Sequence, residues 1–359
     1  MCTCPAFPFG GYVMKIFPSF AALLLVTACD NAPVLEPLPN VTAVAETVPV
    51  KSSDDAADDP AIWINRTDSN KSLILGTDKQ AGLYAYDLSG AIKQFLPTGR
   101  LNNVDLRQGI SIGAWQGDLA VASNRSNNSV AVFEIAADGT VSELGSFASL
   151  LDEPYGICMG TLAGRLMVTV THKTGDAIFY ELGSPTTVQQ TFRLKFETQL
   201  EGCVFDEPTN QVFIGEEETG IWAATFAGDQ FATPEAVDVI GSASGLVADV
   251  EGLSIYRRGE QAYLVASSQG DNSYALYTLP DRKFVGRFRV APGQFDGTEE
   301  TDGLAASGMP LGDQFPNGLL VVQDGIRPGG AFQDFKLIDW RDIHETVLDG
   351  SRNDAPDER

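Results

Sequence analysis

One unit recurs six times along the chain. Apolar runs that end in polar clusters appear at Ser72-Leu-Ile-Leu-Gly-Thr-Asp-Lys, Asp118-Leu-Ala-Val-Ala-Ser-Asn-Arg-Ser, Arg165-Leu-Met-Val-Thr-Val-Thr-His-Lys, Gln211-Val-Phe-Ile-Gly-Glu-Glu-Glu, Gln261-Ala-Tyr-Leu-Val-Ala-Ser-Ser-Gln and Gly318-Leu-Leu-Val-Val-Gln-Asp. Most resume as a second alternating strand, such as Ala177-Ile-Phe-Tyr-Glu-Leu or Ser273-Tyr-Ala-Leu-Tyr, which is a hairpin signature. A shorter motif precedes each run, starting at Asp59, Asn103, Tyr155, Glu201, Glu251 and Asp302, 44 to 52 residues apart. Six such units of about four short strands predict an all-β fold, a six-bladed β-propeller with four-stranded antiparallel blades around a central channel. It is expected over residues 45–345, with Phe335 to Trp340 as a last strand helping to close the ring. A single β-sandwich would not need six units so alike; a two-domain all-β protein is the competing arrangement.

The N-terminus reads as an export signal. Lys15 precedes the apolar stretch Phe20 to Val26, which ends in Val26-Thr-Ala-Cys29 and is too short to span a bilayer. Residues 1–28 are therefore expected to be a signal peptide, with Met14 as the more natural start. Cys29 after small residues resembles a bacterial lipobox, in which the cysteine is lipidated and becomes the first mature residue; a plain signal peptide cut nearby is the simpler reading. Residues 29–44 would then be the lipidated cysteine and its tether, and residues 346–359 a flexible tail. An exported protein results, anchored in the periplasm or at the cell surface, or secreted. After processing Cys158 and Cys203 remain besides Cys29. They can bridge in an oxidising compartment, but they sit at non-equivalent repeat positions, so two unpaired buried thiols stay equally open.

The formal charge of −24 comes from 24 basic and 48 acidic residues. Such a surface repels nucleic acid and anionic lipid, so no nucleic-acid partner is expected and membrane contact only through the lipid on Cys29. A polyanionic substrate would need cations from outside. A chain rich in carboxylates with only two histidines, His172 and His344, suits oxygen-ligated Ca²⁺ better than zinc.

In a propeller the equivalent turns of all blades meet at one face, so the six polar clusters can be read together. The first three carry Lys79, Arg125 and Lys173; the last three carry Glu216 and Glu217, Gln269, and Gln323 with Asp324. The inner-strand motifs add Glu201, Asp249, Glu251, Glu300 and Asp302, and ring closure brings Asp58 and Asp59 beside them. Any one of these residues is an ordinary turn residue. Sorted by sign around a ring, they predict a face with phosphate-directed cations on one half and metal-directed carboxylates on the other.

At these residues the chain resembles the β-propeller phytases, from about Glu46 to Ile343. The stretches are Asp54-Asp-Ala-Ala-Asp-Asp-Pro-Ala-Ile-Trp, Leu101-Asn-Asn-Val-Asp-Leu-Arg, Ala122-Ser-Asn-Arg-Ser, Gly215-Glu-Glu-Glu, Asp249-Val-Glu-Gly-Leu, Ala266-Ser-Ser-Gln-Gly and Thr301-Asp-Gly. The resemblance implies direct, calcium-dependent hydrolysis of phosphomonoesters of myo-inositol hexakisphosphate (phytate), with water activated at the metal attacking phosphorus and an adjacent site holding a second phosphate. It assigns Lys79, Arg125, Tyr155 and Lys173 to phosphate binding and catalysis. Asp58, Asp59, Glu201, Glu217, Asp249, Glu251 and Gln269 are assigned to several Ca²⁺ ions, and Glu217 to catalysis as well. Glu46, Asp302 and Asp324 follow as further calcium or ring-closing positions. His172 is expected at the rim, and the protein as a monomer. Gln80 stands where some relatives carry a second lysine, and Thr174 where some carry an acid. The alternatives are a calcium-dependent propeller acting on another ester such as a lactone, which the cations Lys79, Arg125 and Lys173 argue against, and a non-catalytic lipoprotein propeller that binds a partner.

Overall fold

The computed structural model of the chain describes residues 37–350. The leader, Cys29, the first part of the tether and residues 351–359 lie outside the described residues. Each repeat unit folds as an antiparallel sheet whose strands follow one another in chain order. Blade 1 comprises Ala57–Trp63, Leu73–Asp78, Gly82–Asp87 and Ile92–Leu96, and blade 2 comprises Leu101–Ile112, Trp115–Asn124, Ser129–Ile135 and Val141–Ala148. Blade 3 comprises Ile157–Leu162, Arg165–Thr171, Asp176–Ser184 and Thr187–Lys195; blade 4 comprises Leu200–Asp206, Gln211–Glu216, Gly220–Ala227 and Glu235–Val239, with the short Gln230–Phe231 beside its third strand. Blade 5 comprises Val250–Arg258, Gln261–Ser268, Ser273–Thr278 and Phe284–Ala291, and blade 6 has Leu304–Ser307, Leu319–Asp324 and Asp334–Asp339. The first strand of each blade packs on that of the next, and blade 6 meets blade 1, so six inner strands enclose a channel of about 400 Å³. This is the six-bladed propeller that the repeat predicts.

The core explains why the second strands read as nearly unbroken apolar runs. Successive side chains point to opposite faces, and here both faces are covered by a neighbouring blade. In blade 2, Ala120 and Ala122 pack with blade 1 residues such as Leu75 and Ala85, while Leu119 and Val121 pack with Val168 and Ile178 of blade 3. The six apolar clusters of the molecule each fill one boundary between adjacent blades.

Ring closure uses the N-terminal segment. Ala45–Glu46 pairs antiparallel with Asp334–Asp339 and supplies the outermost strand of blade 6. Asn40–Thr42 adds in parallel to the outer strand of blade 5, and Val41 is fully buried between blades 5 and 6. The segment expected to be a tether as far as residue 44 is thus structural from Asn40. At the other end the chain turns into a short helix, Trp340–Ile343, that continues through His344–Asp349. Trp340 stacks on Tyr256 with ring centroids 3.6 Å apart, and Val347 and Leu348 are buried, so the expected flexible tail is packed at its beginning. No helix among the described residues is long and apolar enough to cross a membrane.

Cys158 and Cys203 form a disulfide between the inner strands of blades 3 and 4. This decides between the two readings left open above. The cysteines had to be non-equivalent to meet, because a residue facing the next blade and one facing the previous blade differ by an odd step in a strand of period two.

Candidate active site

The inner strands begin where the polar turns lie, and there they crowd. A Cβ on Gly202 would stand 2.1 Å from the carbonyl oxygen of Glu251, and one on Gly303 would stand 2.2 Å from the Asp59 carboxylate. Glycine after the leading polar residue of the motif therefore lets backbones touch across blades, as in the bonds Gly252 N–H to Asp302 O (3.0 Å) and Gly303 N–H to Asp58 O (3.1 Å). The leading residues, Tyr155, Glu201, Glu251 and Asp302, are thereby forced together at the channel mouth.

Glu201, Glu217 and Glu251 offer carboxylate oxygens that all lie within 4.8 Å of one another, and all three residues are buried. Burial is the largest cause pushing each carboxyl upward, Glu217 to about 7; the charge of Glu201 adds to it at Glu217 and Glu251, while the hydrogen bond between Glu201 and Glu251 opposes it at Glu201, and the neighbouring Asp58 is raised too, chiefly by burial, with Lys79 opposing. Asp249 and Asp302 add charge to the same centre, and Gln269 reaches it by donating to Asp302 Oδ1 at 2.7 Å. Two buried acceptors here lack partners, Glu251 Oε2 and Asn102 Oδ1, and Asn102 lies against Glu201 through its Nδ2 at 3.4 Å. Oxygen donors only, repelling one another and with unpaired atoms, fit a divalent cation with hard-ligand preference.

Beside this centre stands Tyr155, with the Lys173 ammonium 4.3 Å and the Arg125 guanidinium 6.0 Å from its ring centre. Arg125 Nε is buried without a hydrogen-bond partner, and Lys173 is exposed. Lys79 is placed differently from the other two cations. Its ammonium contacts Asp55 (2.5 Å), Asp302 (2.9 Å) and Asp58 (3.2 Å). Burial alone would lower its pKa, but these carboxylates outweigh it and hold Lys79 charged. The sign boundary thus differs from the sequence expectation: blades 2 and 3 present the cations, and the lysine of blade 1 is enclosed by acids.

Not every expected metal residue lies in this centre. Asp59 is buried on the channel side, where Oδ2 accepts from Val104 N–H at 3.1 Å and ties blade 1 to blade 2. Glu46 and Asp324 surround a lysine instead. The fully buried Lys336 ammonium lies 2.7 Å from Glu46, 2.5 Å from Asp296, 3.2 Å from Asp324 and 3.1 Å from Asp334, with Arg327 bonded to Glu46 and Asp334. Burial lifts the Asp324 carboxyl to about 6 and that of Asp334 to about 7, against the pull of Lys336. Glu216, expected beside Glu217, caps the loop through Glu197 N–H and Thr198 N–H and accepts from Trp222 Nε1. His172, expected at the rim, is buried, and burial lowers its pKa.

Sequence reasoning missed Asn102, Asp55 and Gln199, whose Nε2 bonds Glu217 Oε1 at 2.5 Å. Asn102 and Asp55 lie inside the quoted stretches; the role of Asn102 appears only when blade 2 meets blade 4, and that of Asp55 only when Lys79 of blade 1 is turned toward Asp302 of blade 6. Gln199 carried no signal.

A family model described as Phytase matches residues 15–357. A curated 3-phytase from Bacillus subtilis (strain 168) is 37% identical over 322 residues, covering 84% of this chain and 84% of the relative. A match of that length at that identity, spanning all six blades and the channel-mouth residues of this chain, places it in the phytase family.

Proposed function

We propose that this protein hydrolyses the phosphomonoesters of inositol hexakisphosphate, releasing inorganic phosphate and lower inositol phosphates, and that Ca²⁺ ions are its cofactor. The observation that carries this reading is the contact of opposites at the channel mouth: Arg125 and Lys173 around Tyr155, directly beside buried Glu201, Glu217 and Glu251. Glu201, Glu217, Glu251, Asp58, Asp249 and Gln269 would hold the cations, with Asn102 and Asp302 beside them. Bound calcium would supply Lewis-acid charge and a more acidic water. Arg125 grips two phosphate oxygens, Lys173 neutralises a third, and the Tyr155 ring holds both cations in register. Phosphoryl transfer to water asks mainly for such positioning and charge compensation, and no protein nucleophile is needed. Lys79 offsets the repulsion between Asp58 and Asp302, and with a cation held among those carboxylates its ammonium would be free to take a phosphate oxygen. The all-oxygen donor set suits a hard cation such as Ca²⁺ and argues against metals that prefer thiolate or imidazole ligands.

We also infer export and anchoring through lipidated Cys29. The Cys158–Cys203 disulfide favours an oxidising compartment, and the net charge of −24 opposes direct binding to anionic lipid, which makes the lipid on Cys29 the route to a membrane. Incorporation of labelled palmitate, lost in Cys29→Ala, tests the anchor.

The activity is tested on protein lacking the first 29 residues, by phosphate release from phytate with calcium and with excess chelator. Turnover is expected only with calcium; undiminished turnover in chelator refutes the metal role, and turnover of lactones in place of phytate would establish the rival hydrolase.

A further inference from the structure

A substrate with six phosphates extends beyond the pair of cations at Tyr155, and the face offers it little else. Lys79 is only 10% exposed among three carboxylates, and Gln80 is neutral and turned away, its Nε2 donating to the carbonyls of Ser53 and Asp55. Blades 4, 5 and 6 present acids. Blade 2 adds the exposed Arg100, whose carbonyl accepts from Arg125 N–H at 2.8 Å, and a second cationic group lies on blade 3, one step outward from Lys173. The outer strand of that blade ends in Arg193 and Lys195, whose side chains are 54% and 57% exposed. Lys195 Nζ donates to the carbonyl of Thr174, the residue after Lys173, so the two ammonium groups occupy the same turn.

Among the described residues the one carboxylate in contact with this pair is Asp176, at 2.7 Å from Arg193 and 3.4 Å from Lys195. Asp176 is buried and also accepts from Thr174 Oγ1 at 2.6 Å, so it orients the two long side chains without covering them. Arg193 and Lys195 against the one carboxylate of Asp176, next to Lys173, form a local positive ledge on a protein of net charge −24. Fixing two flexible cations beside a phosphate site lowers the ordering cost of binding a second anionic group there.

We propose that Lys195 and Arg193 form a distal phosphate subsite on blade 3, which holds a phosphate of the substrate other than the one gripped by Arg125 and Lys173. The subsite rests on the phytate reading above and sets a preference for highly phosphorylated substrates. Its loss should therefore affect polyphosphorylated substrates and spare those with one phosphate.

The experiment compares wild type, Lys195→Met, Arg193→Met and the conservative Lys195→Arg on inositol hexakisphosphate and on p-nitrophenyl phosphate, with thermal melts of each protein. Expected is a rise in KM for the hexakisphosphate of about threefold to fivefold per methionine variant, the range of one partly solvated ion pair. kcat/KM for p-nitrophenyl phosphate should change less than twofold, and Lys195→Arg should restore the hexakisphosphate KM. An equal loss on both substrates, or no change on either, overturns the subsite. If wild type fails on the hexakisphosphate yet cleaves p-nitrophenyl phosphate, it is the phytate reading that falls.

Discussion

At the residue scale the site is a store of unfavourable charge. Glu201, Glu217 and Glu251 face one another in a buried pocket that Lys79 only partly neutralises. Glu217→Gln should thus reduce phosphate release by at least about 100-fold while leaving the melting temperature of the metal-free protein unchanged or higher, since it removes a repelling charge. A drop in melting temperature would mean that Glu217 is needed for folding. Protonation gives a second handle. The Glu217 carboxyl titrates near 7 when folded and near 4.5 in the free side chain, so between those values the folded state binds the extra proton. Chelated protein should therefore gain stability as pH falls from about 7 toward 5, and cation binding near pH 6.5 should release protons. Urea melts across that range and calorimetry in buffers of different ionisation enthalpy read the two effects. Crowding at the mouth is equally specific: Gly202→Ala puts a methyl 2.1 Å from a neighbouring backbone oxygen and should cost several kcal/mol, on the order of 2–4.

At the element scale the closing blade depends on one buried ammonium. Lys336 joins the N-terminal strand through Glu46, the approach to blade 6 through Asp296, and two blade 6 strands through Asp324 and Asp334. Removing a single partner from such a cluster leaves carboxylates buried without compensation. Lys336→Met should destabilise the protein by about 3–5 kcal/mol in urea unfolding, far more than a surface lysine. The family resemblance gave Glu46, Asp302 and Asp324 as further calcium or ring-closing positions, with no hint of what joins Glu46 to Asp324. Lys336 lies in an ordinary strand pattern, and only pairing in register with Glu46 makes it the centre of a cluster. The disulfide was hidden in the same way, since neighbour relations across blades are set by which face a residue turns to and not by its repeat position.

At the scale of the whole molecule the repeat was legible because every blade is covered on both faces by its neighbours, which forces long apolar runs at near-constant spacing. The channel-mouth residues were legible for the same reason: they occupy the few repeat positions that cannot be apolar. The pairing among them was not. Lys79 reads as one of three equivalent cations, yet ring closure brings Asp302 to it and turns it inward, while Arg125 and Lys173 flank Tyr155. Sign at a repeat position is visible in sequence; which opposite charge stands across a blade boundary depends on closure.

In the function proposed above, cations among the buried carboxylates link an acidic protein to a more acidic substrate. Diffraction from crystals grown with calcium and a non-hydrolysed phosphate ester, with anomalous maps, tests it directly. Calcium peaks are expected about 2.3–2.6 Å from oxygens of Glu201, Glu217 and Glu251, with phosphate spanning from them to Arg125 and Lys173. Calcium confined to other parts of the molecule, with phosphate bound and those carboxylates still bare, would contradict it.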